Sequence, residues 1–160
     1  MDSKESGVTA ATAKQYRAVL PRVTDLIRDA LTLLAAKTQD EELDFLVLDA
    51  EDAFWQIPLH PSERRFYCGQ LSPSQGTRYL AYTRTDQGSR GAHLSWTIAL
   101  GLICRCAGGA LLADRPHSKT KLQVYVDDPI LAVAGTTHER RVQYTILIIV
   151  WQILGVSLSF

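Results

Sequence analysis

No excess of charge of either sign marks this chain: 17 lysines and arginines stand against 17 aspartates and glutamates in 160 residues. A complete nucleic-acid-binding protein usually carries a basic face, and the overall balance shows no such surplus. Cysteine is scarce. Cys68, Cys104 and Cys106 form no paired framework, and Cys104-Arg105-Cys106 is spaced too tightly for a zinc site. All three read as free thiols in a reducing compartment. The opening residues Met1-Asp2-Ser3-Lys4-Glu5-Ser6 are polar and lack the apolar core of a secretion signal. The apolar run from Tyr144 to Leu154 is shorter than the roughly twenty residues of a membrane helix and contains Gln152. It reads as a buried amphipathic helix. The expectation is an intracellular protein, cytoplasmic or nuclear, not secreted and without a membrane partner. Internal repeats and low-complexity tracts are absent too. What remains is 46% hydrophobic residues, enough for the core of one domain.

Two stretches carry chemistry. Val124-Tyr125-Val126-Asp127-Asp128 is followed by Pro129-Ile130-Leu131-Ala132-Val133. Each flank is short and rich in Val and Ile, so the pattern predicts two buried strands with the acids in a hairpin turn. Adjacent carboxylates repel and must stay hydrated or paired. A divalent cation relieves that repulsion through oxygen ligands. The dipeptide alone is equally an ordinary surface turn, since turns favour Asp. The second stretch runs from Phe45 through Leu48-Asp49-Ala50-Glu51-Asp52-Ala53-Phe54-Trp55-Gln56-Ile57-Pro58-Leu59-His60-Pro61. It predicts a strand ending in an acid, then an acidic turn, aromatics and two prolines that stop regular structure. Asp49 beside Asp127 and Asp128 makes three carboxylates expected to converge at one end of a sheet, the arrangement of two-metal phosphoryl and nucleotidyl transfer.

These residues resemble the first catalytic motif and the active-site hairpin of reverse transcriptases of the retroviral and LTR-retrotransposon kind. Gln87-Gly88-Ser89-Arg90-Gly91-Ala92, followed by Leu94-Ser95, resembles the loop and helix start that contact template and incoming nucleotide. The three motifs stand in the family's order, and the resemblance runs from about Leu43 to the C-terminus. It implies an RNA-directed DNA polymerase with two ions, Mg²⁺ or Mn²⁺, and a primed RNA or DNA template and deoxynucleoside triphosphates as partners. It implies Asp49 and Asp127 as the principal metal ligands and Asp128 as the weaker third. It also implies the Ala50 backbone carbonyl as a further metal contact. Ala53, Phe54, Gln87, Gly88, Arg90 and Tyr125 are implied on the substrate side, with the Phe54 ring excluding a ribose 2′-hydroxyl. The bland reading of Phe54 is core packing. Asp52 reads as a turn or cap acid.

Along the chain, residues 1–20 read as a flexible segment and 21–160 as one domain. Pro21 is placed to open a helix, with Leu26, Ile27, Ala30, Leu31, Leu34 and Ala35 as its packing stripe. Leu43 to Leu48 predicts a central strand, because it is almost wholly apolar. Pro61-Ser62-Glu63-Arg64-Arg65 predicts a turn or short helical turn. Phe66–Leu71 and Arg78–Thr83 predict strands joined by a loop at 72–76. Ala92 to Leu112 predicts a long helix with Leu94, Ile98 and Leu102 on one face, weakened at its end by Gly108-Gly109. A capped helix from about Thr137, ended by Gly155, and a short strand to Phe160 complete the order. The expected class is α+β: a palm-like antiparallel sheet with helices packed on one face, without a thumb and with reduced fingers.

Three departures from the family stand out. His93 replaces a usual Pro, Pro129 follows the acid pair, and a basic fingers segment is missing before the first motif. Lysine, primer grip, thumb and RNase H regions that follow in the family are expected from a longer polyprotein. The alternative is a non-catalytic retroelement remnant that binds nucleic acid weakly. An RNA-templated RNA polymerase is disfavoured by the bulk of Phe54.

Overall fold

The structure, a computed structural model, describes residues 19–71, 76, 78–87, 89 and 91–159. The expected flexibility of the N-terminal segment and the loop at 72–75 lie outside the described residues. The chain divides into two compact units. One includes Asp52–Trp96, the other Val19–Glu51 with Thr97–Phe160.

The second unit carries the main sheet. Strands β1 (Glu42–Val47), β6 (Asp128–Gly135) and β5 (Thr120–Tyr125) lie antiparallel in the order β1-β6-β5. The β5–β6 hairpin forms as its two Val/Ile-rich flanks predict, but its turn is Val126-Asp127 and not the acid pair: Asp128 already belongs to β6, paired to Tyr125. β6 is the central strand and is buried along most of its length. β1 is an edge, not the expected centre, and its residues are exposed except for half-buried Leu43 and Leu46. Its apolar look came from Leu43, Phe45 and Val47 on one face and only Leu46 on the other. β2 (Asp49–Ala50) continues β1 and pairs with β7 (Leu158–Ser159).

Helices cover both faces of this sheet, and here the one-face expectation fails. Leu33 of α1 (Val23–Ala36) packs on Ala132 and Ala134, with Leu43 beside them. Glu42 and Asp44 alternate onto the opposite face, where α3 (Thr137–Ile153) meets them. Arg140 Nη1 donates to Glu42 Oε2 at 2.8 Å, and burial, aided by Asp44, pushes the Tyr144 hydroxyl up to about 12. The reason lies in β6: Pro129, Leu131 and Val133 are apolar on one face, Ala132 and Ala134 on the other, so each face needs a cover.

Local signals set the helix ends. In α3 the Thr136 hydroxyl accepts from the Glu139 N–H at 3.3 Å, and the Glu139 carboxylate accepts from the Thr136 N–H at 2.7 Å. This reciprocal cap is the device that a Thr three residues before a Glu offers. Gly155, at φ +80°, turns the chain out of the helix. α1 begins at Val23, not at Pro21; the Asp25 carboxylate accepts the Arg22 N–H at 2.8 Å and closes its first turn. Its expected stripe is rotated. Leu33 is buried, while Ile27, Leu31 and Leu34 are exposed. α2 (Ala92–Ala110) shows the same offset: Trp96, Leu100 and Ala107 are buried, and Ile98 and Leu102 face outward. Among the described residues no helix is long and apolar enough to cross a membrane.

In the first unit a 3₁₀ turn (Ala53–Gln56) leads to a bridge between Pro58 and Arg84. A second 3₁₀ turn (Arg64–Phe66) precedes β3 (Cys68–Gln70), which pairs antiparallel with β4 (Tyr79–Ala81). β3 is shorter than its apolar run suggested, because Phe66 is taken into the 3₁₀ turn, and β4 spans only Tyr79–Ala81.

Candidate active site

The acids sit where β2 meets the turn of the β5–β6 hairpin. The Leu48 N–H donates to the Pro129 carbonyl and the Ala50 N–H to the Asp127 carbonyl, both at 3.1 Å. These bonds extend the register of β1 against β6, in which Val47 faces Ile130. The same register carries Asp49 opposite Asp128. Directly opposed residues in an antiparallel pair share a face, and like charges there destabilise. The Asp128 carboxyl is accordingly held above its ordinary value, first by desolvation and then by the charges of Asp127 and Asp49. Asp49 is exposed, and Asp127 and Asp128 are half-buried.

The hairpin turn is strained. Val126 has φ +57°, a left-handed conformation that a β-branched residue rarely adopts. Such outliers persist where the surrounding structure over-determines them. Pro129 fits the central strand because an antiparallel residue points its N–H and C=O toward the same neighbour. Its carbonyl faces Leu48, so the missing donor falls at the end of the β1 ladder and spares the pairing with β5.

The donor chemistry suits a hard divalent cation, since all three groups are carboxylates whose mutual repulsion a cation would relieve. Yet among the described residues no three His, Cys, Asp or Glu side chains stand in a ligating arrangement. Asp127 lies in the turn and Asp128 opens β6, so the two adjoining acids belong to different elements. Ala50 is buried, and Tyr125 is half exposed beside the turn.

The other implied substrate residues stand in the Asp52–Trp96 unit. Ala53 and Phe54 are buried in the 3₁₀ turn. The Phe54 ring meets His93 edge-on, centroids 4.6 Å apart at 73°. Its backbone carbonyl accepts the hydroxyl of Thr85, a buried residue. Sequence reasoning missed Thr85, and no local signal marks it, because it lies 31 residues from its partner. In the sequence His93 marks only a replaced Pro; in the fold it is the second residue of α2 and the aromatic partner of Phe54. Gln87 is exposed in a turn. Gly88 and Arg90 lie outside the described residues. Asp52 is a turn residue at φ +50°, its carbonyl accepting the Trp55 N–H at 2.7 Å, and its side chain caps nothing. The three cysteines are free thiols; burial pushes Cys104 up to about 12.

No protein-family model matches this sequence, and no curated protein matches it either.

Proposed function

We propose that this chain is the palm portion of an RNA-directed DNA polymerase, joining deoxynucleotides to a primer 3′-hydroxyl along an RNA or DNA template. The observation that supports it is the register that sets Asp49 opposite Asp128, with Asp127 in the adjoining turn, at one end of an antiparallel sheet. Asp49 and Asp127, with Asp128 in support, would hold two Mg²⁺ or Mn²⁺ ions. Such ions lower the pKa of an attacking hydroxyl and stabilise a leaving pyrophosphate. The Ala50–Asp127 backbone bond keeps the acid-bearing strand and turn in fixed register. Phe54 would exclude a ribose 2′-hydroxyl; Gln87, Gly88 and Arg90 would contact template and nucleotide. Grip on the duplex would come from further segments of a polyprotein.

A second reading, a non-catalytic remnant with weak nucleic-acid binding, draws on two observations. The charge balance is zero, and no described trio of side chains is arranged to ligate. Binding of Mn²⁺, followed by the loss of its free-ion resonance signal, is the first test. The polymerase reading expects uptake that Asp49→Asn and Asp127→Asn abolish. Uptake indifferent to both substitutions sinks it. Extension of a labelled primer is expected to be slight for this chain alone, because positioning errors are costly and cationic contacts are few. Any extension should vanish in Asp127→Asn. Vigorous extension that disappears in that variant would remove the remnant reading.

A further inference from the structure

Among the described residues the outer edge of β1 is unpaired, and its composition is unusual. Even-numbered residues from Leu48 to Ala50 point their backbone groups at β6, so Leu43, Phe45 and Val47 point theirs outward. β7 takes up that outer edge only beyond Val47: Asp49 pairs with Ser159, and the Glu51 N–H donates to the Ser157 carbonyl at 3.0 Å. Among the described residues no strand pairs with the outer edge of β1 itself. Natural edges are protected by lysine, proline or a bulge. Glu42-Leu43-Asp44-Phe45-Leu46-Val47 has no lysine, no proline and no bulge in its register. Phe45 is 42% and Val47 59% exposed on the face that Leu43 shares. The one guard is Asp44, whose carboxylate accepts the outward Phe45 N–H at 2.9 Å.

We infer that β1 pairs antiparallel with β1 of a second copy of this chain, centred on Phe45 opposite Phe45. Charge and pattern select that register. Centring on Asp44 would set the two Asp44 carboxylates against each other, and like charges directly opposed destabilise. Centring between residues would join the apolar face of one copy to the acidic face of the other. Centring on Phe45 sets Leu43 opposite Val47, and Asp44 opposite Leu46. It joins the two apolar faces into one band and exchanges backbone bonds at residues 43, 45 and 47. It also ends short of Asp49, where β7 takes the edge. A chain of zero formal charge offers no long-range repulsion to a second copy. The Asp44 carboxylate must leave the Phe45 N–H for the strands to join, so it acts as a brake on pairing. This inference does not depend on the polymerase reading.

Sedimentation of the full chain across a concentration series, with amide hydrogen exchange on the same samples, tests it. A reversible dimer is expected, with Leu43, Phe45 and Val47 amides gaining protection as it forms. Asp44 and Leu46 amides should be protected at every concentration, as members of the β6 ladder. Val47→Lys is expected to weaken dimerisation about tenfold or more, and Asp44→Ala to strengthen it. Phe45→Pro removes an outward donor and should abolish pairing while Asp44 and Leu46 stay protected. A chain that stays monomeric throughout overturns the proposal. So does a dimer whose 43, 45 and 47 amides exchange freely, since it would then assemble through another surface.

Discussion

Asp49 stands opposite Asp128 across the extension of the β1–β6 register, bracketed by the Leu48–Pro129 and Ala50–Asp127 backbone bonds. A folding chain gains nothing from opposing two carboxylates, and Asp127 adds a third to the same end of the sheet. The Asp128 carboxyl is raised first by desolvation and then by the charges of Asp127 and Asp49.

Asp128→Asn should therefore stabilise the fold at neutral pH, by up to about 1 kcal/mol for a cross-strand like-charge pair. The sign follows from the direction of the shift. An acid whose folded pKa is raised leaves stability intact below its unfolded value of 3.8 and loses it as pH rises through the folded pKa. Urea denaturation of both proteins should diverge above that range and converge below pH 3.8. A variant less stable than the parent at pH 7 would contradict the repulsion.

The opposite slope is expected from the other end of the sheet. Glu41 accepts from Lys119 and from the Thr38 N–H, and both bonds hold its carboxyl below the ordinary value. The stability it contributes is present above 4.5 and disappears as pH falls through the lowered pKa. Glu41→Gln should flatten the acid limb of the stability profile, measured by denaturant midpoints from pH 2 upward. An unaltered acid limb would show that the ion pair contributes nothing.

Val126→Gly should relieve the left-handed turn. The conformation costs an L residue about 1–2 kcal/mol, offset in part by the added freedom of glycine in the unfolded chain. A net gain of up to about 1 kcal/mol is expected. Thermal unfolding measures it, and a clear loss would mean that the Val126 side chain holds the turn more strongly than the backbone resists it.

Phe54 and His93 should be coupled. Phe54→Ala alone should cost about 3 kcal/mol or more, because Phe54 is buried. A double-mutant cycle with His93→Ala should return about 0.5–1.5 kcal/mol for the edge-on contact. A coupling near zero would reduce the pair to mere proximity.

The residues of the hairpin were legible because their signals are local. Two β-branched runs around the acid pair specify strand, turn and strand, though the turn falls one residue earlier, on Val126-Asp127, and Thr136 with Glu139 specifies where α3 begins. The acids at 49, 127 and 128 were legible as residues at strand ends for the same reason. The helix faces were not. α1 carries apolar residues on two stripes, at Leu26, Ala30 and Leu33 and again at Ile27, Leu31 and Leu34, and periodicity alone does not choose between them. The sheet chose, because Leu33 has Ala132 and Ala134 to pack on, and Ile27, Leu31 and Leu34 are left exposed.

By itself the sequence determined the elements and the chemistry each could bear: an antiparallel hairpin carrying an acid pair, a second strand ending in an acid, and three helices, the last of them with its cap. Tertiary structure decided which element is central. β6, apolar on both faces, takes the middle and draws helices to both sides, and β1 is left at the edge. Only the fold brought Asp49 across from Asp128 and His93 against Phe54. Those relations span tens of residues, where neither hydrophobic period nor turn chemistry carries information, and only the closing of the core brings the two ends together.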